Sequence, residues 1–319
     1  MIKENDIYFH TPTPTPFDWA ETGFFNFYIP EKNILGIVYI VHRAGVGATV
    51  ADIEIIDRMS AHTYDAAFID MGNHYAIPDK AENFTLPNGL SFEAKSIREY
   101  LIKYSAKDVE IDLHCTSCME PFDIHDPSMD PMATDENSGN SETTGFGAAY
   151  TAHFDMAVNV TGSLRIGKDV YPIKCTSTMD HSWGPRPETN ISSILWVNAH
   201  FDDGYGLHAI FSYDPSAPQG KQHIFRHGYA LVNGVVRGAK AGNAKTTERT
   251  DLVATTTEVS IVDIDGTEHK LNGQALNQYI WRPYGNNLSP LAMMRWRGEG
   301  RENGIGTYME GFPLNALRR

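Results

Sequence analysis

Apolar and polar residues alternate along most of this chain, with the period of two that a β-strand imposes on its side chains. In Val109–Cys115 every second residue is polar, and His114 belongs to this polar face. Ala152–Gly162 alternates in the same way, with His153 and Asp155 on its polar face. Two earlier runs, ETGFFNFYIP and ILGIVYIVHR, are rich in aromatic and β-branched residues. These patterns predict a chain built mainly from β-strands.

Tight-turn signals separate the predicted strands. Asn-Gly or Asp-Gly pairs occur at positions 88–89, 233–234 and 265–266, and another turn is predicted at Asp202–Gly204. Such pairs suit hairpins, because their turns need positive φ angles. Helical periodicity is scarce: Ile53–Met59 has a short 3.6-residue pattern, and Ser96–Lys103 fits a helix or a strand equally well. The chain is therefore predicted to be all-β, with antiparallel sandwiches or barrels.

Two prolines suggest where one set of strands ends. Pro185 and Pro187 cannot both lie inside a sheet, because proline has no backbone N–H to donate. Since each set of strands is large enough for a small barrel, we predict an N-terminal barrel over residues 1–187 and a C-terminal barrel over residues 188–319. An acidic segment rich in Gly, Ser and Pro, Asp126–Gly147, is predicted to be a surface loop, with a lid over a ligand as the alternative.

The overall charge narrows the class of partner. The 319 residues include 26 basic and 40 acidic ones, for a net charge of −14. This acidity disfavours nucleic acids and anionic membrane surfaces as partners. We expect no membrane span, because no apolar run approaches about 20 residues. The first residues lack the apolar core of a signal peptide, and there are three cysteines, so a cytoplasmic location is expected. The oligomeric state is not indicated.

The segment MDHSWGPRP contains the most distinctive candidate site. Asp180 is a candidate proton donor, because an apolar pocket raises the pKa of a carboxyl group. His181 can tune that acid, the indole of Trp183 can stabilise a carbocation, and Arg186 can hold the acid or a polar end of the substrate. This set suits protonation of an alkene or loss of an alcohol as water. The alternative is a structural corner, with Trp183 closing a barrel end and Asp180 paired to Arg186.

Polar residues on predicted strands form a second group of candidates for binding substrate and guiding water. His200 and His208 lie on the two arms of one predicted hairpin, so they can approach each other around its turn. The alternative is that they are buried strand residues bonded to the backbone. The full set of predicted substrate-binding residues is His114, His153, Asp155, Trp196, His200 and Asp202.

No cofactor or metal site is predicted. The chain has no GxGxxG or GxxxxGK[ST] nucleotide signature and no GxSxG nucleophile elbow. The segment HCTSCME offers His114, Cys115 and Cys118 as zinc ligands, but it lacks a second clustered pair and Cys175 is isolated. A zinc hydrolase therefore stays the least favoured alternative.

The stretch NVTGSLRIGKDVYPIKCTSTMDHSWGPRP resembles the D-H-S-W-G-x-R region of AttH-like proteins, which include carotenoid hydratases (hydroxyneurosporene synthases) and related fungal hydratases and cyclases. The downstream ILWVNAHFDDGYGLHAIF and the final GIGTYMEGF look like the family's Trp-containing strand, its hairpin and its closing strand. The resemblance covers about Asp18 to Phe312. One residue differs, because many relatives have Arg immediately before the aspartate, where this chain has Met179.

The resemblance implies two consecutive lipocalin-like antiparallel β-barrels and chemistry without a metal or organic cofactor. The expected activity is that of a hydratase or dehydratase, with isomerase or cyclase activity as a variant. The expected substrate is a hydrophobic terpenoid, steroid-like or polyketide-like alkene or alcohol that reacts through a carbocation-like state. The rival expectation is a non-catalytic carrier of an apolar small molecule. An Asp180 that faces a cavity favours catalysis, and an enclosed Asp180–Arg186 pair favours the carrier or a scaffold.

Overall fold

The computed structural model describes residues 2–60, 62–133, 151–186, 193–214, 217–218 and 220–314. Over these residues the chain is nearly all β, as predicted, and its strands form two consecutive antiparallel units. Helical segments in the described residues are three short 3-10 turns, Glu4–Ile7, Pro30–Lys32 and Thr63–Asp65. None of these described helices has the length and apolar composition that a membrane crossing requires.

The first unit is an 11-stranded sheet that curves into a half-barrel. Its order is β4-β3-β2-β1-β11-β10-β8-β7-β6-β5, and β9 pairs with β10. The end strands β4 and β5 are not neighbours in the described part of the sheet. The strands are β1 Trp19–Ile29, β2 Ile34–Arg43, β3 Ala48–Ile56, β4 Phe68–Ala76, β5 Asn83–Thr85, β6 Leu90–Ser96, β7 Glu99–Ala106, β8 Val109–Ser117, β9 Phe122–Asp123, β10 Ala152–Ile166 and β11 Asp169–Pro185.

The second unit is a closed barrel of eight strands that pair in chain order. It closes because the first strand, β12, pairs with both β13 and the last strand, β19. The strands are β12 Ile194–His200, β13 Gly206–Tyr213, β14 His223–Val232, β15 Val235–Thr250, β16 Val253–Asp263, β17 Glu268–Trp281, β18 Asn287–Gly298 and β19 Arg301–Pro313. The predicted all-β class with two consecutive lipocalin-like units is thus confirmed.

The predicted hairpin turns lie where the glycine pairs indicated. Asn233 and Gly234, between β14 and β15, both have positive φ angles, 53° and 77°, as a tight two-residue hairpin requires. The short helical pattern at Ile53–Met59 does not form a helix, because residues up to Ile56 belong to β3. This strand is buried on both faces, so its apolar residues do not alternate and the spacing only imitates a helix.

Two predictions fall partly on residues outside the described ones. The boundary between residues 187 and 188 lies between Pro185, where β11 ends, and Ile194, where β12 begins; residues 187–192 are not described, and the boundary stays a prediction. Residues 134–147 of the predicted acidic loop also lie outside. In its described part, a carboxylate oxygen of Asp130 lies 2.5 Å from Nδ1 of His227, which belongs to the barrel.

Four apolar cores hold the described residues together, and the smallest of them packs Phe122 of the first sheet against Tyr229 of the barrel. One fills the concave face of the first sheet, and another fills the barrel. The third lies between the units and contains Phe24, Tyr39, Trp196, Trp281 and Met293. Each large side chain removed from water contributes about 1.5–3 kcal/mol, so this third core joins the two units firmly. It also explains why β1, β2 and β3 are buried on both faces.

Hydrogen bonds at the margins of the third core fix how the units sit together. The Tyr28 hydroxyl donates to Oδ1 of Asn198 at 3.1 Å. The Asn277 side chain donates to the backbone carbonyl of Asn33 at 2.6 Å. Since each bond joins the first sheet to the barrel, side chains of both units can line one site between them.

Candidate active site

The DHSWGPR motif forms the end of β11, between β1 and β10, except for Arg186, which directly follows the strand. In this register Asp180 lies opposite Phe24 of β1 and Asp155 of β10. Two residues further on, Ser182 lies opposite His153. Residues directly opposite one another share a face of a sheet, so the register brings these side chains together. They share the face that packs against the barrel.

The structure does not bring His181 or Trp183 together with Asp180. Successive residues of a strand face opposite sides, and these two side chains face the concave core of the first sheet. Nε2 of His181 lies 3.2 Å from Oε1 of Glu21. The ring of His10 stacks on Trp183, with 3.6 Å between centroids and an interplanar angle of 2°. The expected assistance of Asp180 by His181, and the expected place of Trp183 beside it, are corrected accordingly.

A cavity of about 70 Å³ lies between the two units, with Asp180 in its wall. This volume holds about two water molecules, whereas a site for a whole drug-sized ligand measures about 300–1,000 Å³. The cavity thus accommodates water and the reacting part of a larger molecule. Its lining residues are Thr22, Phe24, Tyr39, His153, Asp180, Ser182, Arg186, Ile194, Trp196, Ile210, Trp281, Pro283, Tyr284, Asn287, Ser289 and Met309.

Asp155 is the centre of a buried ionic cluster beside this cavity. One of its oxygens lies 2.8 Å from Nε2 of His153 and 3.2 Å from Nε2 of His208. Its other oxygen accepts a hydrogen bond from Nε1 of Trp196 at 3.3 Å. Burial opposes ionisation, but the charges of the two histidines outweigh it and hold the pKa of Asp155 below its ordinary value. Asp155 is therefore an ionised carboxylate that orients its neighbours.

Asp180 differs sharply from Asp155. Its side chain is half-buried at the cavity and makes no hydrogen bond or ion pair with any other described residue. Burial raises the pKa of Asp180 to about 7, with His153 lowering it, Asp155 raising it and Arg186 lowering it. Burial lowers the pKa of His153, but the negative charges of Asp155 and Asp180 outweigh burial and raise this pKa above its ordinary value. His153 therefore favours the protonated form. Asp180 is therefore a carboxyl that can hold a proton near neutral pH.

Arg186 lines the cavity and is buried, with 5% of its surface exposed. Its Nη2 donates to Oγ of Ser182 at 3.0 Å, and its backbone N–H donates to the carbonyl of Asp18 at 2.6 Å. Ser182 in turn lies 2.7 Å from the hydroxyl of Thr22. The predicted alternative of an enclosed Asp180–Arg186 pair is not what forms, because Asp180 lines the cavity and Arg186 is held by Ser182.

Aromatic rings form much of the remaining wall. Phe24 packs against Trp196 at 5.5 Å and against Trp281 at 5.6 Å between ring centroids. The hydroxyls of Tyr39 and Tyr284 lie 2.5 Å apart, joining the first sheet to the loop after β17. Indole and phenyl faces attract a positive charge held within about 6 Å. The cavity can thus stabilise a cation that forms near Asp180, without any contribution from Trp183.

The other predicted substrate-binding residues divide into two groups. His153, Asp155 and Trp196 belong to the cavity or its supporting cluster. Three others do not line it. His200 is buried against Thr178, 2.8 Å from its hydroxyl, and burial lowers the pKa of His200 to about 3. Asp202 is exposed on the β12–β13 turn, and His114 is exposed on β8, where it pairs with Glu99 at 3.0 Å.

Several cavity residues gave no individual signal in the sequence. Phe24 and Tyr39 lie in runs that read as ordinary apolar strands, and Trp281 and Tyr284 lie far away in the chain. His208, which supports the cavity through Asp155, did give a signal, because it was predicted to lie with His200 on the two arms of one hairpin. Met179, which replaces the arginine of many AttH-like proteins, is 1% exposed and faces the concave core, away from Asp180.

The described residues include one group that could hold a metal ion: His10, Glu21 and His181, whose donor atoms lie within 4.8 Å of one another. Oε1 of Glu21 pairs with Nδ1 of His10 at 3.0 Å and with His181, while Oε2 accepts the backbone N–H of His10. Burial raises the pKa of Glu21, but the hydrogen bonds with His10 and His181 outweigh burial and lower this pKa to about 2. This network accounts for the cluster as an ion-pair site.

The zinc alternative at HCTSCME is not supported by the geometry. His114 lies on the exposed face of β8, while Cys115 is buried on its opposite face. Neighbouring residues on a strand cannot both bind one ion without disrupting the ladder. Cys115, Cys118 and Cys175 are all free cysteines.

Comparison with solved structures finds the same fold in distant proteins. A Nitrosomonas europaea protein described as an AttH gives a TM-score of 0.58 at 14% identity, over 92% of this chain and 91% of that one. CghA, solved with Sch210972, gives 0.56 at 14% identity, over 92% and 88%. Kievitone hydratase from Nectria haematococca gives 0.54 at 9% identity, over 95% and 90%. The predicted AttH-like fold is confirmed.

Comparison of sequences gives a family for the whole chain. No curated protein matches this sequence. A family model described as "Domain of unknown function (DUF7064)" matches residues 3–308, which include both the first sheet and nearly all of the barrel. The chain therefore belongs to the DUF7064 family, and it has the fold of the AttH-like proteins.

Proposed function

We propose that this protein is a hydro-lyase, which adds water to an alkene or removes water from an alcohol in a hydrophobic small molecule, with Asp180 as the proton donor. One observation carries the proposal: a carboxyl with a pKa raised to about 7 and no described hydrogen-bond partner lines a cavity with aromatic walls. A general acid works best when its pKa is close to the working pH.

In the hydration direction, Asp180 gives its proton to one alkene carbon, and the π-electron pair forms the new C–H bond. The positive charge on the other carbon lies among Phe24, Trp196 and Trp281. A water molecule adds there, and the proton it releases returns to the ionised Asp180. Dehydration follows the same steps in reverse, so atoms and charge balance in both directions.

The ionic cluster around Asp155 influences the pKa of Asp180 and keeps Asp155 itself ionised. Asp155 stays ionised through His153 and His208 and does not compete as the acid. Its negative charge raises the pKa of Asp180, while His153 and Arg186 keep that pKa from rising further. The two carboxyls on neighbouring strands thus have different tasks, as in other sites where paired acids are separated by their environments.

Relatives of the same fold support a hydratase-type activity. Kievitone hydratase is by name a hydratase and shares this architecture over 95% of the chain. A terpenoid, steroid-like or polyketide-like substrate fits the aromatic walls, and isomerisation is the variant reaction in which the cation loses a proton instead of gaining water. A carrier would bind such a molecule and release it unchanged.

The test is a screen of apolar alkenes and tertiary alcohols in heavy-oxygen water, with mass spectrometry of the products. The wild type should incorporate heavy oxygen into an alcohol product. D180N should lose turnover by at least about 100-fold, because a positioned general acid contributes about 10²–10⁴. D169N, which changes an exposed aspartate at the start of the same strand, should keep full activity.

Full turnover by D180N, in a folded variant, would contradict the proposed acid. An unlabelled product that is an isomer of its alkene substrate would indicate an isomerase, whereas an alkene formed from an alcohol by loss of water would support the hydro-lyase. Binding of every tested compound without any turnover would support the carrier instead.

A further inference from the structure

A groove of about 820 Å³ opens next to the active-site cavity. It runs between the β2–β3 hairpin and β4 of the first sheet on one side and the β17–β18 loop of the barrel on the other. Its volume lies within the range of sites for small organic ligands, whereas the cavity is too small for such a molecule. The groove is therefore the larger part of any binding site in this region.

The groove and the cavity share a wall. Pro283, Tyr284 and Asn287 line both of them. The hydroxyl contact between Tyr284 and Tyr39 lies on the cavity side of this wall. Since Tyr284 belongs to the loop after β17, rotation of its side chain would join the two spaces. A molecule in the groove would then reach Asp180 with one end.

The charge of the groove is opposite to that of the whole protein. Arg43, Arg282 and His74 line it, and no carboxylate among the described residues does, although the chain has a net charge of −14. Arg282 is exposed, and the guanidinium of Arg43 lies 5.6 Å from the ring centroid of Tyr284. A local basic surface in an acidic protein attracts anions and steers them to one place.

Much of the remaining lining of the groove is apolar and accessible, and Asn73 and Asn287 add polar groups. Val46, Met71 and Leu314 are 46%, 36% and 38% exposed, and all three line it. An apolar surface in a groove that two arginines also line matches a molecule with a hydrophobic body and one anionic group.

We propose that the groove binds the anionic end of an amphipathic small molecule, such as a carboxylic acid, whose apolar body leads past Tyr284 into the cavity. The exposed Arg282 holds the anion and the charge of Arg43 adds to the attraction, while Val46, Met71 and Leu314 contact the body. The identity of this molecule as the substrate rests on the proposed function, but binding in the groove does not.

The experiment compares two fluorescent probes on the intact chain: anilinonaphthalene sulfonate, which is anionic, and N-phenylnaphthylamine, which has the same rings without the sulfonate. The wild type should bind the sulfonate about tenfold more tightly, because a charge-assisted contact contributes on this order. R282Q and the double variant R43Q/R282Q should lose that preference but keep their affinity for the uncharged probe. R58Q, which alters an exposed arginine paired with Asp57 outside the groove, should behave like the wild type.

Equal affinity of the wild type for both probes would overturn the proposal, as would an unchanged sulfonate affinity in R43Q/R282Q. A change in oligomeric state in the arginine variants, with no change in probe affinity, would instead assign the groove to a second copy of the chain and also overturn it. Because no turnover is measured, a failed hydration screen refutes the proposed reaction and leaves this result standing.

Discussion

Asp155 and Asp180 lie opposite each other on β10 and β11, yet their carboxyls ionise in opposite ways. Asp155 meets two histidines and an indole N–H, so its charge is stabilised and its pKa is low. Asp180 meets apolar walls and the negative charge of Asp155, so its proton is retained to a higher pH. The different surroundings of these two carboxyls therefore make Asp155 a structural anion and Asp180 a candidate acid.

D155N should destabilise the protein by about 3 kcal/mol at neutral pH, because breaking a buried ion pair leaves His153 and His208 without their counter-charge. The pKa of Asp155 is depressed in the folded state, so its stabilisation is present above the ordinary value of 3.8 and is lost as the pH falls below it. Urea unfolding at several pH values measures both effects.

The control for this change is D112N, which alters an exposed aspartate on β8 that pairs with Lys103. It should change the free energy of unfolding by less than about 1 kcal/mol. If D155N is as stable as D112N, or if its deficit does not shrink in acid, Asp155 does not hold the cluster together.

β3 also carries a pair of buried carboxyls. Asp52 and Glu54 are two residues apart, so they share the face that packs on β17. Burial raises the pKa of Asp52 to about 6, although the hydrogen bond from Trp281 lowers it. Burial and the charge of Asp52 together raise the pKa of Glu54 to about 10. Nε1 of Trp281 donates to Oδ2 of Asp52 at 2.6 Å. Glu54 is therefore neutral at the seam between the units.

E54Q should raise the melting temperature at pH about 8, by on the order of 5 °C. The pKa of Glu54 is raised in the folded state, so stability falls as the pH rises from its ordinary value of 4.5 towards about 10. Glutamine cannot ionise and avoids that loss. The advantage should disappear near pH 4, where the unfolded wild type is protonated as well.

E31Q, at an exposed glutamate in the turn before β2, serves as the matched control and should leave the melting temperature unchanged. An E54Q variant that melts at the same temperature as the wild type at high and low pH would show that Glu54 is already ionised in the folded protein.

Strands with one solvent-exposed face were predicted well, and strands with two buried faces were not. The alternation of Val109–Cys115 reappears as a strict buried and exposed pattern in β8. In β10, His153 and Asp155 alternate as expected but are both buried, because the barrel covers that face. The helical pattern at Ile53–Met59 failed for the same reason. Burial on a second face cannot be inferred from one strand, since it depends on which other unit packs there.

The two units meet in a core whose partners are far apart in the chain. Asp52 bonds to Trp281 and Tyr28 bonds to Asn198 across 229 and 170 residues respectively. The sequence predicted the two units, and the AttH-like signature indicated the family of folds. It could not predict this pairing, because no local pattern specifies which outer face of the sheet meets which strands of the barrel.

The candidate site was predicted in part for the same reason. Asp180 and Arg186 were predicted as catalytic residues from the unusual composition of their segment, and both line the cavity. His181 and Trp183 stood beside them in the sequence but face the other side of the sheet. Tyr39 and Trp281 complete the walls from distant strands. Local composition thus indicated the acid, while the surroundings that set its pKa come from the assembled molecule.

The central claim is that Asp180 keeps its proton near neutral pH, and an infrared pH titration of wild type minus D180N tests it most directly. The difference spectrum isolates the carboxyl band of one residue. We predict a protonated carboxyl in the wild type at mildly acidic pH that disappears with a midpoint near 7. If Asp180 is already ionised at pH about 5, as an ordinary aspartate is, it cannot be the acid at neutral pH and the account is contradicted.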